Sequence, residues 1–444
     1  MSDSKISGLT AQLTLHDADL GVGVDTTDTA QSAQGTTKKW SWTLVKAFLK
    51  TYFDGLYLGI GANATTATTA TNVTGGTITS ETLSTGTKLD ANADPNITQY
   101  GMARQAIMNG NFDVWQRGTS VALADVTKAF QADRFHDYID KNGGTLPTLT
   151  RSRQLLTSGD IANAFYYTNL ATNGAGTSLG TSSYHRYSEF IENGVRNLCG
   201  LNKKVTVSFW AKSDIANKRI CPTLTQNYGT TGSPTTAEKI LGTPITLTST
   251  WTKYTATFTT NTLVGKTFGT DLNDYLALNI FTMWGTVIGN TDVQASVTAE
   301  TYVGAGYIAI AQVQICSGDV ALPFQPKSYE EELRACQRYY EKSYDYGTAP
   351  GANAGGTGLY ERAALSVSAI NSQGLYKVIK RATPTVVIYA TDGTASAVTV
   401  VGGSNVTGVS IDSSGQNGFR EITKTSGFTA GVYYQFQFTA ESEL

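Results

Sequence analysis

Two short stretches carry the mixture of residues that sugar binding requires. Carbohydrates present C–H patches beside hydroxyls, so a site for them needs aromatic faces next to hydrogen-bonding groups. Ser182-Ser183-Tyr184-His185-Arg186-Tyr187 mixes rings with donors, and Phe281-Thr282-Met283-Trp284-Gly285 ends a strand-like run on a tryptophan beside a glycine. Tyr184, His185, Tyr187 and Trp284 are therefore the candidate carbohydrate-binding residues. The competing reading makes Tyr187 and Trp284 core residues, like Trp115, Trp210 and Trp251. Exposure separates the two: exposed rings favour recognition, buried rings a structural role. Tyr344, Tyr346 and Tyr360, near a glycine-rich stretch, are a third and more ambiguous group.

Catalytic constellations are missing. No GxSxG, HExxH, Walker loop or EF-hand string occurs. Glycan hydrolysis needs two carboxylates across a cleft, and the pairs Asp271/Asp274 and Glu189/Glu192 have only local spacing to recommend them. Asp271 and Asp274 read as turn residues, with a calcium site as the alternative. Lone His136 reads as a hydrogen-bonded strand residue. The four cysteines (Cys199, Cys221, Cys316, Cys336) show no CxxC spacing and the chain has three histidines, which argues against a zinc site. They read as four reduced thiols in a protein assembled in a cytosol. The expectation is a non-enzyme without cofactor or metal.

The elements that must hold these residues are mostly strands. At 444 residues the chain is too long for one ordinary core. Only 15% of residues are charged and 45 are glycine, a composition that favours an all-β protein with many turns. The net charge of -2 and the lack of a basic tract exclude a nucleic-acid backbone as the natural partner. No apolar signal region opens the chain and no run of about twenty apolar residues follows, so neither signal-peptide export nor a membrane span is expected.

Five segments follow in order. Residues 1–58 form a small module with a short amphipathic helix over Thr43 to about Phe53. Residues 59–99 are Thr- and Gly-rich with sparse apolar positions, and read either as a linker or as a stalk in which chains wind together. Residues 100–326 read as one jelly-roll-like β-sandwich. Val205, Val207 and Phe209 share one face of a strand, as do Tyr254, Ala256 and Phe258, while 275–280 and 307–315 are further strands. Residues 327–343 are a connecting helix with a capping box at Ser328 and Glu331 and a stripe of Tyr329, Leu333, Cys336 and Tyr340. Residues 344–444 form a second β-sandwich, the head.

A family resemblance runs through this order. Asn109-Gly110-Asn111-Phe112-Asp113-Val114-Trp115-Gln116-Arg117-Gly118, followed by Ala132-Asp133-Arg134-Phe135, resembles the entry to the jelly-roll, carbohydrate-binding-like domain of bacteriophage tail-fibre and receptor-binding proteins. The strand Lys204 to Lys212, the run Trp251 to Phe258 and the closing stretch from Tyr307 to Ser343 resemble later parts of the same domain, so the likeness spans most of 104–343. Gly35-Thr36-Thr37-Lys38-Lys39-Trp40-Ser41-Trp42 resembles the N-terminal module by which such fibres join the virion, which implies docking through Lys38, Lys39, Trp40 and Trp42. The resemblance implies a virion fibre, trimeric, bound to other tail or baseplate proteins by its N-terminus and to host polysaccharide or lipopolysaccharide by multivalent contacts. A purely structural neck, baseplate or decoration fibre and a surface-glycan depolymerase are the alternatives.

Overall fold

The computed structural model describes residues 23–25, 36–38, 106–125, 128–353 and 359–444. The chain divides into two compact units, Met1–Lys88 and Leu89–Leu444. In the first, strands β1 (Gly23–Asp25) and β2 (Thr36–Lys38) pair antiparallel, with Gly23 opposite Lys38. Lys39, Trp40, Trp42, the helix expected over 43–53 and the stalk expected over 59–99 lie outside the described residues.

The second unit opens with β3 (Ser120–Leu123), β4 (Ala129–Phe130), β5 (Phe135–Asp140), β6 (Leu149–Leu155), β7 (Tyr166–Asn173) and β8 (Tyr184–Glu192). A short helix, α1 (Gly194–Leu198), leads to β9 (Lys204–Ser213), β10 (Arg219–Asn227), β11 (Glu238–Ile240), β12 (Ile245–Thr246), β13 (Thr252–Thr259) and β14 (Tyr275–Trp284). A helical turn, α2 (Thr286–Ile288), and β15 (Ala305–Ser317) complete this part. The strands make two antiparallel sheets. One runs β11-β10-β14-β8-β5-β4 with β12 also on β10; the other runs β13-β9-β15-β7-β6-β3. Strands consecutive in the chain repeatedly change sheet, as in a jelly roll.

Alternation dictates what each strand buries. Val205, Val207 and Phe209 are fully buried and Phe258 nearly so, meeting Ile139, Leu224, Leu276 and Ile280 of the facing sheet in one core. Trp210, one step out of phase with those residues, points the other way; it lies half-buried with Trp251 on the outer face of the six-stranded sheet. Both tryptophans were expected in the core, and strand parity is why they are not. Trp115 is a core residue, and its indole N–H donates to the carbonyl of Phe112 at 2.9 Å.

The turn before Trp115 is built from side-chain hydrogen bonds. Asn109 donates to the carbonyls of Val114 and Asp133 and accepts from the Val114 N–H, tying the two segments of the 107–135 entry together. Gly110 packs so closely that a β-carbon there would lie 2.1 Å from the Val313 carbonyl oxygen, so only glycine fits.

Helix α3 (Tyr329–Gln337) begins as its sequence dictates: the Ser328 hydroxyl accepts from the Glu331 N–H, and the Glu331 carboxylate accepts from the Ser328 N–H. Replacing Ser328 with alanine is expected to cost about 1 kcal/mol, read as a small fall in the urea midpoint with an unchanged slope. Leu333 and Cys336 pack on Val114, whereas Tyr329 is exposed. The helix ends before the expected boundary at 343. Tyr340 to Lys342 already form β16 (Tyr340–Lys342), which pairs with the last strand of the chain. The helical stripe therefore stops at Cys336.

The head continues with β17 (Tyr360–Ala363), β18 (Ala369–Leu375), β19 (Thr385–Tyr389), β20 (Ala397–Val400), β21 (Asn405–Thr407), β22 (Ser410–Ile411), β23 (Gly418–Thr423) and β24 (Tyr433–Glu441). β24 pairs with β16, β17, β19 and β20, and a three-stranded sheet β18-β23-β22 contributes to the same core. Ile370, Ile388, Val398, Phe419, Ile422, Phe436 and Phe438 fill it. Ion pairs join head and jelly roll: Glu443 meets Arg117 and Arg134, and Arg338 meets Glu192.

Candidate functional site

The four sequence-predicted sugar-binding residues do not form one exposed surface, although Trp284 lies opposite Tyr184 in register and Tyr184 packs on its cluster. Tyr184, His185 and Tyr187 belong to strand β8 and Trp284 ends β14, so alternation sends neighbours to opposite faces. His185 and Tyr187 point into the sandwich and are fully buried. The His185 ring bridges the Tyr302 hydroxyl at 2.6 Å and Asp137 at 2.7 Å. Tyr187 stacks on Phe135, with the Arg151 guanidinium 4.0 Å from its ring centre. Trp284 is also fully buried; it packs with Phe281 and Val293, and its N–H donates to the Thr298 carbonyl at 3.0 Å. None of these three rings can stack on a sugar. Tyr184 alone of the four is half-exposed.

Following Tyr184 along its own face of the seven-stranded sheet assembles a different set. On β8 the outward positions are Tyr184, Arg186, Ser188, Phe190 and Glu192. The register sets Arg186 opposite Tyr138 of β5 and Ser188 opposite His136. On the other side Ser188 lies opposite Asn279, and Phe190 opposite Ala277. β10 adds Thr223 opposite Asn279, and Thr225 opposite Ala277.

Two stacked aromatic pairs occupy this face. Tyr138 and Tyr184 lie 5.7 Å apart with planes 12° from parallel, and Phe190 and Tyr275 lie 4.2 Å apart at the same angle. All four rings are half-buried, as is Arg186 between the pairs. From Tyr184 to Phe190 is six residues, a span of about 20 Å along the strand. The floor between the pairs is polar: the Ser188 hydroxyl donates to Asn279 at 2.8 Å, and the Asn279 amide donates to Thr225 at 3.3 Å; Ser188 and Asn279 are buried, and Thr225 is the half-buried member. Rings that offer apolar faces, flanking fixed donors and acceptors, are what a sugar chain needs.

His136 is the odd member of this face. It is fully buried between Phe130 and Phe190, and neither ring nitrogen has a hydrogen-bond partner, contrary to the expectation of a satisfied strand histidine. Burial, aided by Lys128 and Arg186, holds its pKa well below the usual value, so the ring stays neutral.

The carboxylates fall into structural roles. Glu189 and Glu192 are three residues apart on a strand and so face opposite sides of the sheet. Glu192 accepts from Arg338 and from the Tyr339 hydroxyl. Asp271 accepts from the Thr230 N–H, and Asp274 pairs with Arg196 at 2.9 Å. Among the described residues no three His, Cys, Asp or Glu side chains cluster as metal ligands. The four cysteines are buried, and burial raises the thiol pKa of Cys199 and of Cys221 to about 12. No helix among the described residues is long and apolar enough to cross a membrane.

Glu189 does carry a measurable consequence. One carboxyl oxygen accepts from the Met108 N–H at 2.9 Å, while the other has no partner. Burial lifts its pKa from 4.5 to about 8 against the pull of Arg134, so the folded chain holds the proton at neutral pH. A folded value above the unfolded one means that stability is full below 4.5 and is lost as pH rises through about 8. Glu189→Gln is expected to remove a loss of about 1.4 kcal/mol per pH unit between pH 6.5 and 8, checked by urea unfolding at both pH values.

In the head, Tyr344 is buried edge-on to Tyr389, Tyr360 stacks on Phe436, and Tyr346 is exposed with its hydroxyl accepting from Gln337. They do not form a common surface. A cleft of about 600 Å³ is lined by Lys128, Phe130, Arg381, Thr385 and Leu444, among others, and Lys128 lies 4.9 Å from the ring centre of Phe190.

No protein-family model matches the chain, and no curated protein matches it in sequence. Among solved structures it is similar to the enzymatically active domain of tailspike protein 4 of bacteriophage CBA120, at 12% identity and a TM-score of 0.25, over 48% of this chain and 21% of that one. It is similar to a putative sugar binding protein from Bacteroides thetaiotaomicron, at 10% identity and a TM-score of 0.28, over 48% of this chain and all of that one. The CBM22-2 xylan-binding domain of Paenibacillus barcinonensis Xyn10C matches at 15% identity and a TM-score of 0.25, over 48% and 97% of the two chains.

Proposed function

We propose that this chain is a bacteriophage virion fibre protein that attaches to host surface glycans, binding them on the outer face of the seven-stranded sheet. One observation carries the reading: two stacked aromatic pairs, Tyr138–Tyr184 and Phe190–Tyr275, flank a polar floor on a half-open sheet face. The fibre assignment rests on the residues from Asn109 to Arg134 and on the motifs that follow them. A homotrimer docked through residues 38–42 would present three such faces. Linked weak sites then bind firmly, because each event after the first is effectively intramolecular. In this reading the protein binds without catalysing, takes no cofactor, and resides in the virion after assembly in the host cytoplasm.

The burial of His185, Tyr187 and Trp284 favours the second reading, a structural fibre without host contact. Whole-cell binding separates the two. Fluorescently labelled full-length protein is expected to bind host bacteria, and periodate oxidation of their surface glycans is expected to abolish that binding. Absence of binding across a panel of strains would establish the structural reading instead.

A further inference from the structure

Arg186 sits in the middle of the proposed glycan face. Its guanidinium lies 4.9 Å from the ring centre of Tyr138 and 5.6 Å from that of Tyr184, and it is half-buried. Every other described arginine donates a hydrogen bond or joins an ion pair. Arg117, Arg134, Arg151, Arg196, Arg219 and Arg338, for example, each meet a carboxylate. Among the described residues Arg186 has neither, and its Nε is shielded from solvent without an acceptor. Removing a cation from water without a counter-ion is unfavourable. The tyrosine faces offset part of that cost, since a cation over an aromatic ring gains on the order of 1 kcal/mol.

The surroundings provide no internal anion. Asp140, across from Tyr184 in the register, accepts from the Asn142 N–H and makes no ion pair with Arg186. Glu192, at the far end of the same strand face, is engaged by Arg338 and Tyr339. The nearest aromatics in register, Tyr138 and Phe281, provide no full negative charge. An arginine left open in this way, with aromatic rings beside it, is suited to an acidic group held beside a sugar ring.

We infer that the face takes a glycan bearing an anionic substituent, a carboxylate or a phosphate, with Arg186 as its counter-ion and the Tyr138–Tyr184 pair stacked against the sugar that carries it. This inference rests on the glycan-binding reading and narrows it to acidic polymers. The remaining groups divide the work. Thr225, the half-buried member of the polar floor, meets a hydroxyl, and Phe190 and Tyr275 hold the next part of the chain.

The test uses the full-length protein on an array of matched oligosaccharides. Hexuronate oligomers stand beside their carboxyl-reduced counterparts, and phosphorylated oligosaccharides beside their dephosphorylated ones. Acidic members are expected to bind at least tenfold more tightly than their neutral partners, with the preference shrinking as salt rises. Which pair shows the preference separates carboxylate from phosphate. Arg186→Gln is expected to abolish the preference while moving the thermal midpoint little, because the side chain loses two ring contacts but no hydrogen bond or ion pair. Arg186→Lys is expected to retain part of it. Equal binding of acidic and neutral members by the unmodified protein would overturn the inference and leave the glycan reading standing. Absence of binding to every member would overturn both.

Discussion

Asp137→Ala is expected to lower the unfolding free energy by about 3–5 kcal/mol, the usual cost of stripping a buried ion of its partner. Asp137 on β5 reaches across the sandwich to Arg151 on β6 of the facing sheet, at 2.5 and 3.1 Å, and both side chains are fully buried. The same carboxylate meets His185 at 2.7 Å, and the Tyr302 hydroxyl, which His185 contacts in turn, lies 2.8 Å from that of Thr282. Without Asp137 the guanidinium of Arg151 stays in the core with no charge to balance it. Against a domain's total stability of about 5–15 kcal/mol, such a loss leaves little in reserve. Replacing both members, Asp137→Leu with Arg151→Met, is expected to recover part of the loss, since the pair's cost and gain largely cancel while buried His185 still lacks its partner.

This cluster also sets the response to acid. Burial by itself would raise the Asp137 pKa, but the charge of Arg151 and the hydrogen bond from His185 outweigh it and hold the value at about 2. A carboxylate depressed below its ordinary 3.8 contributes stability that is present above that value and is lost as pH falls through about 2. His185 acts at higher pH. Burial, only partly opposed by Asp137, lowers its pKa from 6.5, so below that pH the unfolded chain gains a proton that the folded chain does not. In a Glu189→Gln background, which removes the opposing slope of that carboxyl, urea midpoints are therefore expected to fall from about pH 6.5 downward and more steeply below 4. A midpoint unchanged by Asp137→Ala at pH 7 would show that the cluster contributes nothing.

Much of the scaffold was legible because period-two patterns are local. Val205, Val207 and Phe209 declare a buried strand face whichever strand pairs with them, and Ser328 with Glu331 declares a helix start from three residues' spacing. The site was less legible for the same reason. By composition the runs 182–187 and 281–285 read as if their rings could turn outward freely, yet both are strand ends: β8 alternates, and β14 carries a register shift between Phe281 and Met283. Treating Tyr184 to Glu192 as a strand separates Tyr184, Arg186, Ser188 and Phe190 from His185, Tyr187, Glu189 and Ile191, and that parity was available in the sequence. The Tyr138 partner was not. It stands 46 positions before Tyr184, and only the β5–β8 register brings the two together. Nearly continuous apolar character in β14 likewise hides which of Phe281, Met283 and Trp284 face the core.

Tyr138→Ala and Tyr184→Ala are each expected to weaken glycan binding by tenfold or more, and the double variant to abolish it. The two rings share one stack, so each single change also disturbs its partner and the effects are not additive. A tenfold loss is about 1.4 kcal/mol, modest for a central aromatic anchor. Both side chains are half-buried on the outer face, so their removal opens no cavity in the main core and the fold is expected to survive. Trp284→Ala marks the contrast: it empties a fully buried site and is expected to act on stability instead.

The most direct measurement is therefore a titration of the full-length protein with oligosaccharides released from the host surface, repeated with Tyr138→Ala/Tyr184→Ala, and with the thermal midpoint of each protein recorded alongside. Saturable binding by the unmodified chain, lost in the double variant while the midpoint holds, is the predicted result. Binding that survives the double variant would place the glycan elsewhere, and a chain that binds no host oligosaccharide at all would contradict attachment through this sheet face.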